Sequence, residues 1–118
     1  MNIETFRDYC LSKQGTSDDL PFDEHTLVFR VVGKIFAITR LSDTRLSVNL
    51  KCDPAKSVDY RDQYPEIEPG YHMNKKHWNT VDFEGELSSY FLRELIDHSY
   101  ELVVKGLKKS ERDLLETL

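Results

Sequence analysis

Thr26-Leu27-Val28-Phe29-Arg30-Val31-Val32-Gly33-Lys34-Ile35-Phe36-Ala37-Ile38-Thr39-Arg40 is the stretch on which the reading of the fold turns. Two runs dense in β-branched and aromatic residues flank a glycine, each too short for a helix of ordinary length. Thr26–Val32 reads as a strand and Ile35–Arg40 as its return. Gly33-Lys34 between them reads as a two-residue turn of the II′ kind, with glycine in the first central position. Leu41 to Arg45, containing Ser42-Asp43-Thr44, makes a second turn. Leu46–Lys51 then alternates cleanly, with Leu46, Val48 and Leu50 facing one way and Ser47, Asn49 and Lys51 the other. One side of this sheet is therefore covered and the other is open to water.

Working outward, the chain before the hairpin holds a short helix. Asn2 suits its N-cap, Ile3, Phe6 and Cys10 recur at helical spacing, and Gly15 suits a left-handed stop. Thr16-Ser17-Asp18-Asp19 is a polar link to a short extended segment, Leu20-Pro21-Phe22. After the third strand, Asp53-Pro54 opens a second helix, with Asp as N-cap and Pro at the first helical position. This helix runs to about Gln63 and ends at Tyr64-Pro65; its apolar face (Ala55, Val58, Tyr64) is thin. Beyond Pro69-Gly70, the segments Tyr71-His72-Met73 and His77–Val81 read as two short strands joined through Asn74-Lys75-Lys76. From Glu84 to Leu107 the periodicity is helical, with Phe91, Leu92, Leu95, Ile96, Ser99, Leu102, Val103 and Leu107 on one side. Ser110-Glu111-Arg112-Asp113 marks the start of a brief terminal helix.

Helix, three strands, helix, two strands and a long helix make an α-β(3)-α-β(2)-α order. Strands in runs, without alternating βα units, indicate an antiparallel sheet with helices on one face, a two-layer α+β sandwich. At 118 residues the chain fits one domain, residues 1–118. The composition, 39% hydrophobic and 31% charged, suits a single packed core. No apolar run approaches the roughly 18 residues of a membrane helix. Met1-Asn2-Ile3-Glu4-Thr5-Phe6-Arg7 has no basic region leading into an apolar one, so a cytoplasmic address is expected. In that setting Cys10 and Cys52, far apart and in no C-x-x-C arrangement, are expected as reduced, partly buried thiols.

The net charge is −5, which weighs against a partner held mainly by phosphate attraction. The charge is uneven, however. Residues 25–61 carry seven basic and three acidic groups, and residues 1–24 carry two basic and six acidic ones. A basic surface is compatible with this acidic chain.

Pro69-Gly70-Tyr71-His72-Met73-Asn74-Lys75-Lys76-His77-Trp78 resembles the P-x-Y-H-M-N-K-x-H-W segment that precedes the last helix of the MmcQ/YjbR family. Gly33-Lys34-Ile35-Phe36-Ala37, Tyr64-Pro65 and Ser99-Tyr100-Glu101-Leu102-Val103 agree with the same family. Gly70 departs from it, since a small residue such as Ala often stands there. The resemblance implies a two-layer sandwich similar to secretion chaperones and frataxin-like proteins. It also implies a DNA-binding label, which rests on a "double wing" reading of the hairpins and is thus an analogy of shape. It supplies no catalytic residues.

Lys75, Lys76, His77 and Trp78 are the sharpest site candidates, because lysines neutralise phosphates while an indole stacks on a base. The plainer reading packs Trp78 and His77 into the sheet and leaves the lysines as solvated turn residues. Lys34, Arg40, Arg45 and Lys51 lie on or between the first three strands. They either extend a basic stripe toward Lys75 and Lys76 or keep the sheet edges soluble. His72 and His77 with Glu66 and Glu68 lack metal-ligand spacing, and His25 and His98 are remote in sequence. There is no G-x-S-x-G, no glycine-rich phosphate loop and no activated cysteine, so neither an enzyme nor a cofactor is expected. The expected partner is DNA; the alternative is a protein, or a second copy of the chain, on the open sheet face.

Overall fold

The computed structural model describes residues 1–70 and 73–118; Tyr71 and His72, part of an expected strand, lie outside the described residues. The order is α1 (Ile3–Leu11), β1 (Thr16–Asp19), β2 (Thr26–Val31), β3 (Lys34–Arg40), β4 (Ser47–Lys51), α2 (Pro54–Gln63), β5 (Ile67–Pro69), β6 (Trp78–Asp82), α3 (Ser89–Lys105) and α4 (Lys109–Glu116). The described strands form one sheet in the order β1-β2-β3-β4-β6-β5, with every neighbouring pair antiparallel. The α+β architecture is as read from the sequence. Two strands are placed differently.

β1 is a strand that its own residues argue against. Ser17 and two Asp have poor strand propensity, yet Thr16 to Asp19 pair with Val31 to Val28. Arginines on either side of the sheet hold its carboxylates. Arg7 Nε of α1 meets Asp18 Oδ2 at 2.6 Å, and Arg30 Nε of β2 meets Asp19 Oδ1 at 3.0 Å. Leu20 and Phe22, expected in an extended segment, sit instead in the β1–β2 loop with much of their surface in water. β5 is the second difference. It spans Ile67–Pro69, just before the expected Tyr71–Met73 strand, and pairs with Val81 to Asn79 of β6. Met73 is in a bend.

The β2–β3 hairpin also corrects its turn. Val31 pairs with Lys34, so the central residues are Val32 and Gly33, and both have positive φ (45° and 81°). That is the type I′ pattern, whose twist matches the strands; Gly33-Lys34 as a II′ turn does not form. Val32 bears the strain of a left-handed β-branched residue because its side chain packs against the core and its N–H donates to Gly15 O at 3.0 Å.

Within the hairpin, Phe29 faces Ala37 while Arg30 faces Ile35, leaving Phe36 as the extra residue of a bulge. Phe36 and Ala37 are therefore both buried in succession. The covered face carries Leu27, Phe29, Val31, Ala37, Val48, Leu50, Ile67 and Val81. Phe6 of α1 stands edge-on to Phe29 and Phe83, with ring centroids 5.1 and 5.4 Å apart, and Tyr100 of α3 stands edge-on to Phe36 at 5.5 Å.

α3 starts later than the periodicity suggests. Ser88 caps it by accepting from the Phe91 N–H at 3.1 Å, which leaves Glu84–Leu87 as connection. Ser99 sits just beyond Ala37–Leu50, the pair that ends the β3–β4 ladder. Its hydroxyl donates to Phe36 O at 2.6 Å and accepts from the Lys51 N–H at 2.8 Å, bridging two backbone groups that the ladder leaves over. α2 is capped by Asp53, as expected, but its packing is aromatic: Tyr60 and Tyr64 lie against Phe91, while Val58 is exposed. Cys10 and Cys52 are free and buried, and burial pushes the Cys10 thiol up to about 12. No helix among the described residues is long and apolar enough to cross a membrane.

Candidate nucleic-acid interface

Alternation along the strands sends Leu50, Asn79 and Val81 into the helix layer and Lys51, Trp78 and Thr80 onto the open face. Lys51 and Trp78 are direct cross-strand partners, the last residue of β4 beside the first of β6. Lys75 and Lys76 are exposed in the turn that leads into Trp78, and His77 and Trp78 are half-buried. The structure therefore brings Lys51, Lys75, Lys76, His77 and Trp78 to one corner of the sheet.

This corner is tied to the rest of the fold by hydrogen bonds. Asn74 caps the turn: its carbonyl accepts from the N–H groups of His77 and Trp78 at 3.1 and 2.9 Å, and its side chain accepts from the Lys76 N–H at 2.9 Å. From α2, Arg61 reaches across to grip the turn. Its Nη2 donates to Lys75 O at 2.5 Å and Trp78 O at 3.2 Å, while its Nε donates to Asn79 Oδ1 at 2.8 Å. Asn79 is buried and donates onward to Ser57 Oγ at 3.4 Å. On the other side, Cys52 N–H donates to His77 O at 2.8 Å. Gly70 donates its N–H to Trp78 O at 2.9 Å, and a Cβ at Gly70 would stand only 3.0 Å from Trp78 Cβ. Glycine permits that close approach.

The other three candidate cations lie elsewhere. Lys34 is turned toward the helix layer, 3.9 Å from Glu111 of α4. Arg40 and Arg45 stand at the far end of β4, about 14 Å from Lys51 by strand rise. There Arg40 Nε lies 4.0 Å from Asp43 and Arg45 Nη2 lies 2.8 Å from Asp82. That separation exceeds the roughly 8 Å over which charges act together at physiological salt. A single stripe from residue 34 to residue 76 does not form. Among the described residues Lys51 and Lys76 make no ion pair, in contrast to these three.

Sequence reading missed the positioning roles of Arg61, Ser57, Asn74 and Asn79, of which Ser57 and Asn79 are buried. Asn79 carried a signal, as an amide at an inward position of an alternating strand, and Asn74 stood in the turn read between two strands.

The YjbR family model matches residues 11–102. The chain belongs to the YjbR family. It is 46% identical to the uncharacterized protein YbdF of Escherichia coli over 92 residues, covering 78% of this chain and 75% of that one. It is 31% identical to the uncharacterized protein YjbR of Escherichia coli over 118 residues, the full length of both. A Deinococcus radiodurans crystal structure aligns with a TM-score of 0.89 at 38% identity, covering 98% of this chain and 88% of the other. A Pseudomonas syringae crystal structure aligns at 0.76 and 31% identity, covering 86% and 98%. These YjbR-like folds carry the same two-layer design.

Proposed function

We propose that this YjbR-family chain is a non-enzymatic binding module. Its corner of Lys51, Lys75, Lys76, His77 and Trp78 takes a short stretch of nucleic acid, with the bases unpaired. The observation that carries this reading is the Lys51–Trp78 cross-strand pair, held on the uncovered face beside two exposed lysines. An indole flanked by ammonium groups suits a base with a free face and the phosphates on either side of it. Paired bases inside a duplex offer no such face. With about three lysines, the contact is small and weak, and it loosens quickly with salt.

Trp78 is the chain's single tryptophan, so its fluorescence reports on the corner alone. Titration with oligothymidylate at low salt is expected to quench it, and the Lys75→Ala/Lys76→Ala variant to bind several-fold more weakly. An unchanged spectrum, together with no detectable affinity for single or double strands at low salt, would refute the reading.

The opposite end of the same face favours a second reading. A groove of about 450 Å³ there is lined by Glu66, Glu68 and Asp82 around one arginine, Arg45. Phosphate is repelled by that balance, whereas a protein partner with basic side chains is attracted. A particle that stays monomeric by light scattering and retains no protein in a pull-down would count against it.

A further inference from the structure

Three successive backbone amides tie the end of β4 to what surrounds it. Lys51 N–H donates to Ser99 Oγ at 2.8 Å, Cys52 N–H to His77 O at 2.8 Å, and Asp53 N–H to His98 Nε2 at 3.1 Å. Asp53 is also the N-cap of α2, accepting from the N–H groups of Ala55 and Lys56 at 3.0 and 3.2 Å. The junction thus carries Lys51 on one side. On the other it starts the helix whose Arg61 grips the Lys75 and Trp78 carbonyls.

A ring nitrogen that accepts a hydrogen bond carries no proton, so this contact requires neutral His98 with its proton on Nδ1. Protonation would set a second N–H against the Asp53 N–H. We propose that His98 is a proton-sensitive latch on the β4–α2 junction, so that the corner loosens its hold on an anionic ligand as pH falls. The ligand half of this proposal rests on the binding reading above.

The surroundings favour the closed latch near neutrality. Burial and the nearby Lys56 of α2 push the His98 value below the ordinary 6.5, as does Lys105 of α3, against Asp53 of α2 and Glu101 of α3. Because the latched state holds the depressed value, its advantage is complete above pH 6.5 and is lost as pH falls through the latched-state value. The direction is diagnostic. Simple attraction between cations and a polyanion does not weaken as pH falls, whereas an opening latch makes it weaken.

The test uses the intact chain in two arms. In the first, without ligand, imidazole and amide NMR follow His98 and Asp53 from about pH 8 to pH 5. The expected result is an Nδ1–H tautomer, a midpoint below 6.5, and an Asp53 amide that shifts with the same midpoint. Once corrected for intrinsic rates, the Asp53 amide's opening should rise by up to about tenfold per pH unit below 6.5. His98→Gln, whose side-chain carbonyl still accepts but does not titrate, should leave that amide insensitive to pH. An Nε2–H tautomer, or an Asp53 amide that ignores the His98 midpoint, would overturn the latch. In the second arm, oligothymidylate affinity is measured for wild type and His98→Gln. The wild-type dissociation constant should rise relative to the variant as pH falls. Equal pH profiles would overturn the coupling. If neither protein binds, the ligand reading fails and the Asp53 amide decides the latch by itself.

Discussion

Replacing Ser99 with alanine removes one hydroxyl and leaves two backbone groups, Phe36 C=O and Lys51 N–H, without their partner. Ser99 has no exposed surface, so water does not reach the site to substitute. Each stranded backbone group costs about 1–3 kcal/mol, and partial relaxation brings the expected loss to roughly 2–4 kcal/mol. Domains of this size are stable by only about 5–15 kcal/mol, so the loss is a large share. It corresponds to a fall in melting temperature of roughly 8–15 °C. The sign makes the test sharp, because alanine is the better helix former and propensity alone would stabilise α3 by several tenths of a kcal/mol, about 0.5. Urea and thermal unfolding followed by circular dichroism measure the difference directly. An Ser99→Ala protein as stable as wild type, or more stable, would refute the bridging role.

Two further outcomes follow from packing on the helix side. Burial, and then the 2.6 Å hydrogen bond that Tyr9 Oη donates to Asp97, raise the Tyr9 phenol to about 12. Absorbance titration should show one tyrosine ionising about two pH units above 10, and Asp97→Asn should bring it down. The stabilisation from this group is whole below pH 10 and fades as pH rises toward 12, so the cost of Asp97→Asn should shrink over that range, and a cost that stays constant there would contradict it. Gly15 combines φ of 73° with a would-be Cβ only 2.5 Å from Leu115 of α4. Gly15→Ala should therefore cost about 2 kcal/mol or more, through backbone strain at positive φ and the shift forced on the Leu115 side chain, and equal urea midpoints would dispose of that explanation.

Much of the fold was legible because its strongest segments agree locally and globally. β2, β3, β4, α2 and α3 all carry their own periodicity or caps. β1 was not legible: Thr16-Ser17-Asp18-Asp19 is a strand only because β2 offers an edge and Arg7 and Arg30 receive its carboxylates. β5 is three residues long and ends in Pro69, too little for a period of two to show. The hairpin turn was misplaced by one residue because glycine was given the first central position, whereas the I′ turn puts Val32 there.

At the corner, the residue types proposed to meet a ligand could be read from Lys75–Trp78. Lys51 was read either as a member of a longer stripe or as a charge that keeps the sheet edge soluble. Its true neighbour, Trp78, follows from the β4–β6 register, which joins residues far apart in the chain. The pairing of Lys34, Arg40 and Arg45 with Glu111, Asp43 and Asp82 was equally hidden, as were Arg61 and His98. These roles depend on distances across the fold, and no sequence spacing encodes them.

The most direct test of the compact corner is the salt dependence of oligonucleotide binding. Three lysines, 51, 75 and 76, predict a slope of log K against log salt of about −2 for single strands and about −3 for duplex. All six candidate cations acting together would give about −4 and −5. A compact corner gives the shallow slope, with Lys51→Ala/Lys75→Ala/Lys76→Ala abolishing it and Lys34→Ala/Arg40→Ala/Arg45→Ala leaving it nearly unchanged. A steep slope that the second triple variant flattens would contradict it.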